Sequence, residues 1–311
     1  MTDDRAAEDA GQEPETELKT EPEPAEVGPE LAFRPEPSRL VASPDGVPIA
    51  LFEAGISSRE SDRATLVLVH GTTADHTTFR AVAPVLGRRR HLVAIDRRGR
   101  GASGDAVESV TYSIEREYDD LAAVAHTAAT LDGRPVDVFG HSYGGRIALG
   151  AAGRSEWIRR IVVYEGAPSV PRLPYRPVGL ERRIRAHLDH GDREAALETF
   201  FREIVGMDDV AIADYRANPV WPVRAAAAPT ILRELEAEGS SAASLEALGR
   251  VAVPVLLLLG STSRPPFGAA TEALRTTLPN VRVVTLEGAA HAAHHTHVPE
   301  LVAAVEAFLD G

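Results

Sequence analysis

Ser142 stands between two glycines in Gly140-His141-Ser142-Tyr143-Gly144, after the apolar run Val136-Asp137-Val138-Phe139 and before small residues that favour helix. A serine at such a sharp strand-to-helix turn has its hydroxyl lifted above the sheet edge, where a base and a substrate carbonyl can both reach it. That hydroxyl is a poor nucleophile until a base takes its proton. His291 is the best base candidate, since it follows the run Val281 to Leu286 and the turn Gly288-Ala289-Ala290. Attack on a carbonyl also needs N–H donors for the oxyanion that develops. Leu66-Val67-Leu68-Val69-His70-Gly71-Thr72 reads as a buried strand ending in His-Gly, which makes the Thr72 N–H one donor. The N–H of Tyr143, directly after the nucleophile, is the other. Thr73, His76 and Phe79 lie further along the same loop. They are candidates for substrate contact, and could equally cap and pack a helix over 76–86.

A further segment, Leu92-Val93-Ala94-Ile95-Asp96-Arg97-Arg98-Gly99-Arg100-Gly101-Ala102-Ser103-Gly104, is a buried strand running into a glycine-rich loop. With these four segments in this order, the chain resembles the α/β-hydrolase family from about Pro37 to the C-terminus. Serine at the elbow points to the serine-nucleophile branch and away from epoxide hydrolases and haloalkane dehalogenases. The resemblance implies an α/β-hydrolase fold, a mostly parallel central sheet with flanking helices and a helical lid inserted after strand 6.

Alternation of short apolar runs with amphipathic segments supports that architecture. The pattern predicts strands at 48–54, 65–70, 91–96, 135–140, 159–164, 253–260 and 281–286. Helices are predicted over 76–86, 114–131, 143–153, 269–278 and 298–309, with Ser113 capping the second and Pro299 in the first turn of the last. Residues 1–36, rich in Glu, Pro and Asp, read as a disordered acidic tail. The core is expected in 37–167 and 251–311. Between them, 168–250 is broken by Pro171, Pro174, Pro177, Pro219, Pro222 and Pro229 into short helices such as 180–190, 193–205 and 230–238, where the family's lid would lie.

The third catalytic member is the unusual one. The family places an aspartate after the seventh strand, here Val255–Leu259, but that loop reads Gly260-Ser261-Thr262-Ser263-Arg264-Pro265-Pro266 and has no carboxylate. A neutral hydroxyl cannot stabilise the imidazolium that forms on His291. Glu165 offers the repair, because it ends the sixth strand and its extra methylene extends its reach. This resembles zearalenone-type lactonases, with a glutamate after strand six. Glu287 is the rival, on the strand feeding the histidine loop and expected to point away. Asp96 and Asp137 read as structural. His294, His295 and His297 lack a carboxylate or cysteine pattern beside them, so they read as surface or lid contacts rather than metal ligands.

Composition narrows the function classes. Of the net charge of −13, residues 1–30 supply −9, so the rest is only mildly acidic and no nucleic-acid patch is indicated. Arg88-Arg89-Arg90 and Arg97-Arg98 are expected in solvent. The chain has no cysteine, which excludes disulfides and thiolate chemistry. It shows neither a secretory signal nor an apolar run long enough for a membrane span, so a cytoplasmic location is expected. The expected activity is cleavage of a small or medium carboxylic ester or lactone, with no cofactor and no metal. The alternatives are a non-hydrolytic relative: an acyltransferase, a C–C hydrolase or a small-molecule receptor.

Overall fold

In the strand Leu66-Val67-Leu68-Val69 every residue is buried, which requires cover on both faces of the sheet. Leu66 and Leu68 pack on one side with Leu86, Leu301 and Val305, while Val67 and Val69 pack on the other with Leu121, Val124 and Ile147. The two-residue period of a strand thus divides one apolar run between two core layers. The structure, a computed structural model, describes residues 32–105 and 111–311. Most of the segment expected to be a disordered tail lies outside the described residues. Within it, Phe33 packs edge-on to His76, with ring centres 6.0 Å apart.

Among the described residues eight strands form one sheet: β1 (Arg39–Ala42), β2 (Pro48–Gly55), β3 (Leu66–Val69), β4 (His91–Ile95), β5 (Val136–His141), β6 (Ile158–Tyr164), β7 (Val255–Gly260) and β8 (Val281–Leu286). Their order is β1-β2-β4-β3-β5-β6-β7-β8. β1 and β2 are antiparallel to their neighbours, and every later pairing is parallel. The fold is therefore the α/β-hydrolase arrangement that the motifs anticipate. β1 escapes the sequence pattern because it is four residues long with one buried side chain.

The helices of the sheet's two faces are α1 (Ala83–Leu86), α2 (Ile114–Asp132) and α3 (Tyr143–Ala152) before the insertion. Between β6 and β7 come α4 (Leu180–Asp189), α5 (Arg193–Phe200), α6 (Asp209–Arg216), α7 (Trp221–Ala226), α8 (Thr230–Ala237) and α9 (Leu245–Leu248). The last three are α10 (Pro265–Thr277), α11 (Ala293–Thr296) and α12 (Val298–Leu309). The helix predicted over 76–86 is broken into a 3-10 turn, His76–Phe79, and α1. Pro84 explains the break, since its ring clashes with the preceding turn and it has no N–H to donate. α10 begins four residues before its predicted start because Pro265 and Pro266 occupy a first turn, where prolines are tolerated. The insertion has its own apolar core, centred on Leu197, Phe201, Trp221 and Ile231. Among the described residues no helix is long and apolar enough to cross a membrane.

The expectation that the arginine clusters lie in solvent is wrong for three of the five. Arg88 and Arg89 are exposed, but Arg90, Arg97 and Arg98 are fully buried. Each is matched by carboxylates, which is what burying a charge requires. Arg90 pairs with Asp310, Arg98 with Asp120 at 2.6 Å and Asp45 at 2.9 Å, and Arg97 with Glu117 and Glu234, both at 2.6 Å.

Burial alone raises a carboxyl pKa. At Glu117 the Arg97 guanidinium outweighs it, helped by Arg100 and the Tyr112 hydroxyl, and the carboxyl is held down at about 2 against an ordinary 4.5. A carboxyl depressed in the folded state contributes stability that is complete above 4.5 and is lost as pH falls toward about 2. Glu117→Gln is expected to lower stability at neutral pH by about 3 kcal/mol, because Arg97 loses a buried counter-charge. It should also flatten the acid limb of stability against pH. Denaturant unfolding and thermal melts at successive pH values check both effects.

Candidate active site

Three non-glycine residues among those described have positive φ: Thr73 at 59°, Ser142 at 54° and Glu165 at 49°. Each follows the end of a neighbouring parallel strand, at the edge where strands of an open α/β sheet present their carboxyl ends. Conformations of this kind cost about 1–3 kcal/mol each and persist where the surroundings enforce them. At Ser142 they do so visibly. Its N–H donates to the Tyr164 carbonyl at 2.8 Å, and its own carbonyl accepts from Gly145 at 2.9 Å. The glycines around it are there for space. A methyl at Gly144 would drive into the carbonyls of Val69 and His70, and one at Gly145 would lie 2.7 Å from Val163 Cγ1.

The structure brings Glu165 and His291 together. His291 Nδ1 lies 2.6 Å from Glu165 Oε2. The other oxygen, Oε1, accepts from the Gly260 N–H at 2.8 Å and from Ser263 Oγ at 2.5 Å. The loop that lacks a carboxylate of its own therefore supplies two donors to one from the neighbouring strand. Glu165 is 3% exposed, and all three contacts fall on a buried charge. Glu287, the rival, is exposed and bonds Ser261 Oγ at 3.3 Å.

The ring of His291 is stacked on Phe267 at 4.6 Å and lies 4.7 Å from the ring of His141. Its loop is pinned from β6, where the Tyr164 hydroxyl donates to the Ala290 carbonyl and accepts the Ala293 N–H at 3.1 Å. His141 Nε2 lies 2.9 Å from the His291 carbonyl, and burial, with His291 close by, holds the His141 imidazole well below its ordinary pKa. A neutral ring with its proton on Nε2 fits that contact. No hydrogen bond joins the Ser142 hydroxyl to His291 in this structure. In unliganded sites such bonds are often long and tighten only with substrate.

Thr72 and Tyr143 lie beside Ser142 on one cavity. Tyr143 is the first residue of α3, so its N–H is one of the donors a helix start leaves without an intrahelical partner. The loop carrying Thr72 is clamped by Arg97, whose Nη1 reaches the Gly71 carbonyl at 3.2 Å and whose N–H donates to His70 Nε2 at 3.0 Å. Arg97 also lies against the Tyr143 ring at 4.7 Å. Sequence reasoning missed this arginine and Tyr164. For Tyr164 the signal was present in a hydroxyl that closes the apolar run Ile161-Val162-Val163 at the end of β6, beside the histidine loop.

Thr73, His76 and Phe79 are not brought to the cavity, which corrects the expectation of substrate contact. Thr73 is fully buried. His76 is fixed by Asp96 Oδ1 at 2.9 Å and stacked on Phe52. Phe79 packs against Phe139, 5.8 Å between ring centres, because the 3-10 turn points it into the sheet core. His294 is likewise no surface contact. It is buried 4.2 Å from the His141 ring, with Thr78 Oγ1 at 3.3 Å.

The cavity over Ser142 has a volume of about 30 Å³, bounded by Thr72, Tyr143 and Glu165 on the sheet side and by Phe200 and Leu235 of the insertion. That is space for about one water, against hundreds of Å³ for a typical ligand site. Gly144→Ala is expected to destabilise the fold by about 1–3 kcal/mol through overpacking against backbone that cannot yield. Denaturant titration of the variant beside the parent protein measures it.

The model of the alpha/beta hydrolase family matches residues 66–305. Over 123 residues the chain is 37% identical to the probable oxidoreductase EphD of Mycobacterium tuberculosis, a match covering 40% of this chain but only 19% of that protein. Over 261 residues it is 26% identical to 2-(acetamidomethylene)succinate hydrolase of Mesorhizobium japonicum, covering 82% of this chain and 91% of the other. An alpha/beta hydrolase from Sphaerobacter thermophilus superposes with a TM-score of 0.70 at 31% identity, over 86% of this chain and 100% of that one.

Proposed function

Because the chain belongs to the alpha/beta hydrolase family, we propose that it is a serine hydrolase cleaving a small or medium carboxylic ester or lactone. The observation that carries this reading is the 2.6 Å contact between Glu165 and His291, in a chain whose strand-seven loop has no acid. In the proposed mechanism His291 takes the Ser142 proton on Nε2 as the hydroxyl oxygen attacks the carbonyl. Glu165 fixes the imidazole with Nδ1 protonated and stabilises the imidazolium that results. The N–H groups of Thr72 and Tyr143 receive the oxyanion, where one such donor is worth roughly 3 kcal/mol. Collapse expels the alkoxide, which takes the proton from His291 and leaves an acyl-enzyme. Water, deprotonated by His291, attacks the acyl carbon, and the proton returns to Ser142 as the acid departs.

The insertion 168–250 acts in this reading as the lid. With about 30 Å³ free above Ser142, substrate entry requires part of it to move. Hydrolysis by the Mesorhizobium relative, as its name states, supports the reaction type. One observation favours a second reading, a small-molecule receptor: the loop Gly260–Pro266 after the seventh strand carries no acid of its own. Labelling by a fluorophosphonate separates the two. Reaction at Ser142, lost in Ser142→Ala, is expected; an inert Ser142 in the parent protein would favour the receptor.

The choice of acid has its own test. Glu165→Gln is expected to lower kcat by about three to four orders of magnitude, the scale on which loss of a triad carboxylate acts. Glu287→Gln should be close to silent. Steady-state kinetics on a panel of p-nitrophenyl esters and aliphatic lactones measures both, and the reverse ranking would show that the carboxylate had been wrongly chosen.

A further inference from the structure

Arg146 follows Ser142 by four residues: Ser142 is the N-cap of α3, and Arg146 lies in the first turn of that helix. Its guanidinium lines the cavity over the serine and is only 7% exposed. It packs near the rings of Tyr143 at 6.0 Å and Tyr175 at 5.5 Å. One of its terminal nitrogens pairs with Glu238 and the other has a long bond of 3.3 Å to the Ala167 carbonyl. Its Nε, buried, has no hydrogen-bond partner among the described residues. An arginine sunk beside the serine with a donor unused is a poorly satisfied structural charge. It is a well-placed receptor for an anion.

The group that meets it now belongs to the chain. Glu238 caps the end of α8, next to exposed Gly239, and its second oxygen lies 3.9 Å from Arg176 Nε. Arg176 is held independently by Glu181 and the Leu235 carbonyl, each at 2.8 Å. Two guanidiniums on the cavity wall are thus bridged by a single carboxylate at a helix end. Withdrawing that carboxylate leaves Arg146 with the Ala167 carbonyl but a counter-charge short. An incoming carboxylate restores the counter-charge, and Glu238, at a helix end beside exposed Gly239, is the group it displaces. A neutral ester has no means to drive this exchange, and a carboxylate-bearing one has.

Resting on the reading of Ser142 as nucleophile, we propose that the cavity selects esters carrying a free carboxylate a short carbon chain away from the scissile carbonyl. Arg146 binds that carboxylate in place of Glu238. Placed in the first turn of the helix that Ser142 caps, Arg146 suits a short acyl chain, such as half-esters of diacids of about four to six carbons, over roughly one helical turn. Specificity of this kind is a bidentate recognition problem for which arginine is suited and lysine is not.

The test compares p-nitrophenyl hydrogen glutarate with p-nitrophenyl valerate, which have the same chain length with and without the charge. The parent protein should prefer the glutarate ester in kcat/KM. Arg146→Gln should reduce the ratio of the two kcat/KM values by about 10- to 100-fold, the range for losing a charge-assisted hydrogen bond, chiefly through KM. Glu238→Gln, which keeps Arg146 and removes its competitor, should lower KM for the glutarate ester. It decides the matter if Arg146→Gln does not fold. A parent protein without the preference, or an Arg146→Gln that weakens both esters alike, overturns the proposal.

Calorimetric binding of glutarate to Ser142→Ala, lost when Arg146→Gln is added, gives a readout that does not need turnover. If no ester is cleaved and phosphonate leaves Ser142 untouched, yet glutarate binds through Arg146, the hydrolase reading fails and the carboxylate site stands. If both esters are cleaved with equal efficiency and glutarate does not bind, the carboxylate site fails and the hydrolase reading stands.

Discussion

The buried carboxylate of Glu165 is the point on which the rest of the site is built. It sits at the end of β6, between the strand that delivers Ser142 and the strand whose following loop comes back to meet it. A charge taken out of water must find its partners inside the protein. Here one oxygen has the imidazole of His291, and the other has a backbone N–H and the hydroxyl of Ser263. The strained backbone at Glu165 belongs to the same arrangement, since β6 must turn abruptly there for the side chain to face the histidine loop. Gly166 follows, where a methyl would collide with the Ser142 carbonyl. The turns after β5 and β6 are therefore packed against each other, and neither can relax alone.

Around that centre the protein uses arginine where a larger apolar core would otherwise fill space. Arg97 touches the loop of Thr72, the ring of Tyr143, Glu117 of α2 and Glu234 of α8. One planar, permanently charged group thereby fixes four elements relative to one another. Lysine, a point charge on a flexible stem, could not make these contacts at once. The chain contains one lysine, at position 19, far in sequence from these elements.

Much of this was legible because the signals are local. Apolar runs bounded by glycine mark the strands, the Gly-x-Ser-x-Gly turn marks the elbow, and the carboxylate that the family resemblance implies after β7, absent here, directs attention to Glu165 at the end of the preceding strand. What could not be read has long-range causes. Arg97 meets partners 20 and 137 residues away, and no window of sequence contains both. Isolated from those partners, Arg97 and Arg98 look like any charged loop. Thr73, His76 and Phe79 fail for a different reason. Their loop does reach the site, but a 3-10 turn in place of an α-helix carries His76 and Phe79 into the core, Thr73 turns its hydroxyl back on the Thr72 carbonyl, and proximity in sequence does not report direction.

Glu234 makes the two walls of the cavity mechanically unequal. On α8 it is shared by Arg97 and Arg100, all three side chains being buried. Lifting α8 would leave buried Arg100 without its counter-charge and Arg97 with Glu117 alone, at a cost of several kcal/mol. The opposite wall, near Ile204, is tied to the body by Arg264 on the carbonyls of Glu203 and Ile204, contacts that are partly open to solvent and that water can replace. The insertion is thus held unequally: by buried ion pairs at α8, and by hydrogen bonds open to solvent beside the five-residue π-turn Phe201–Val205.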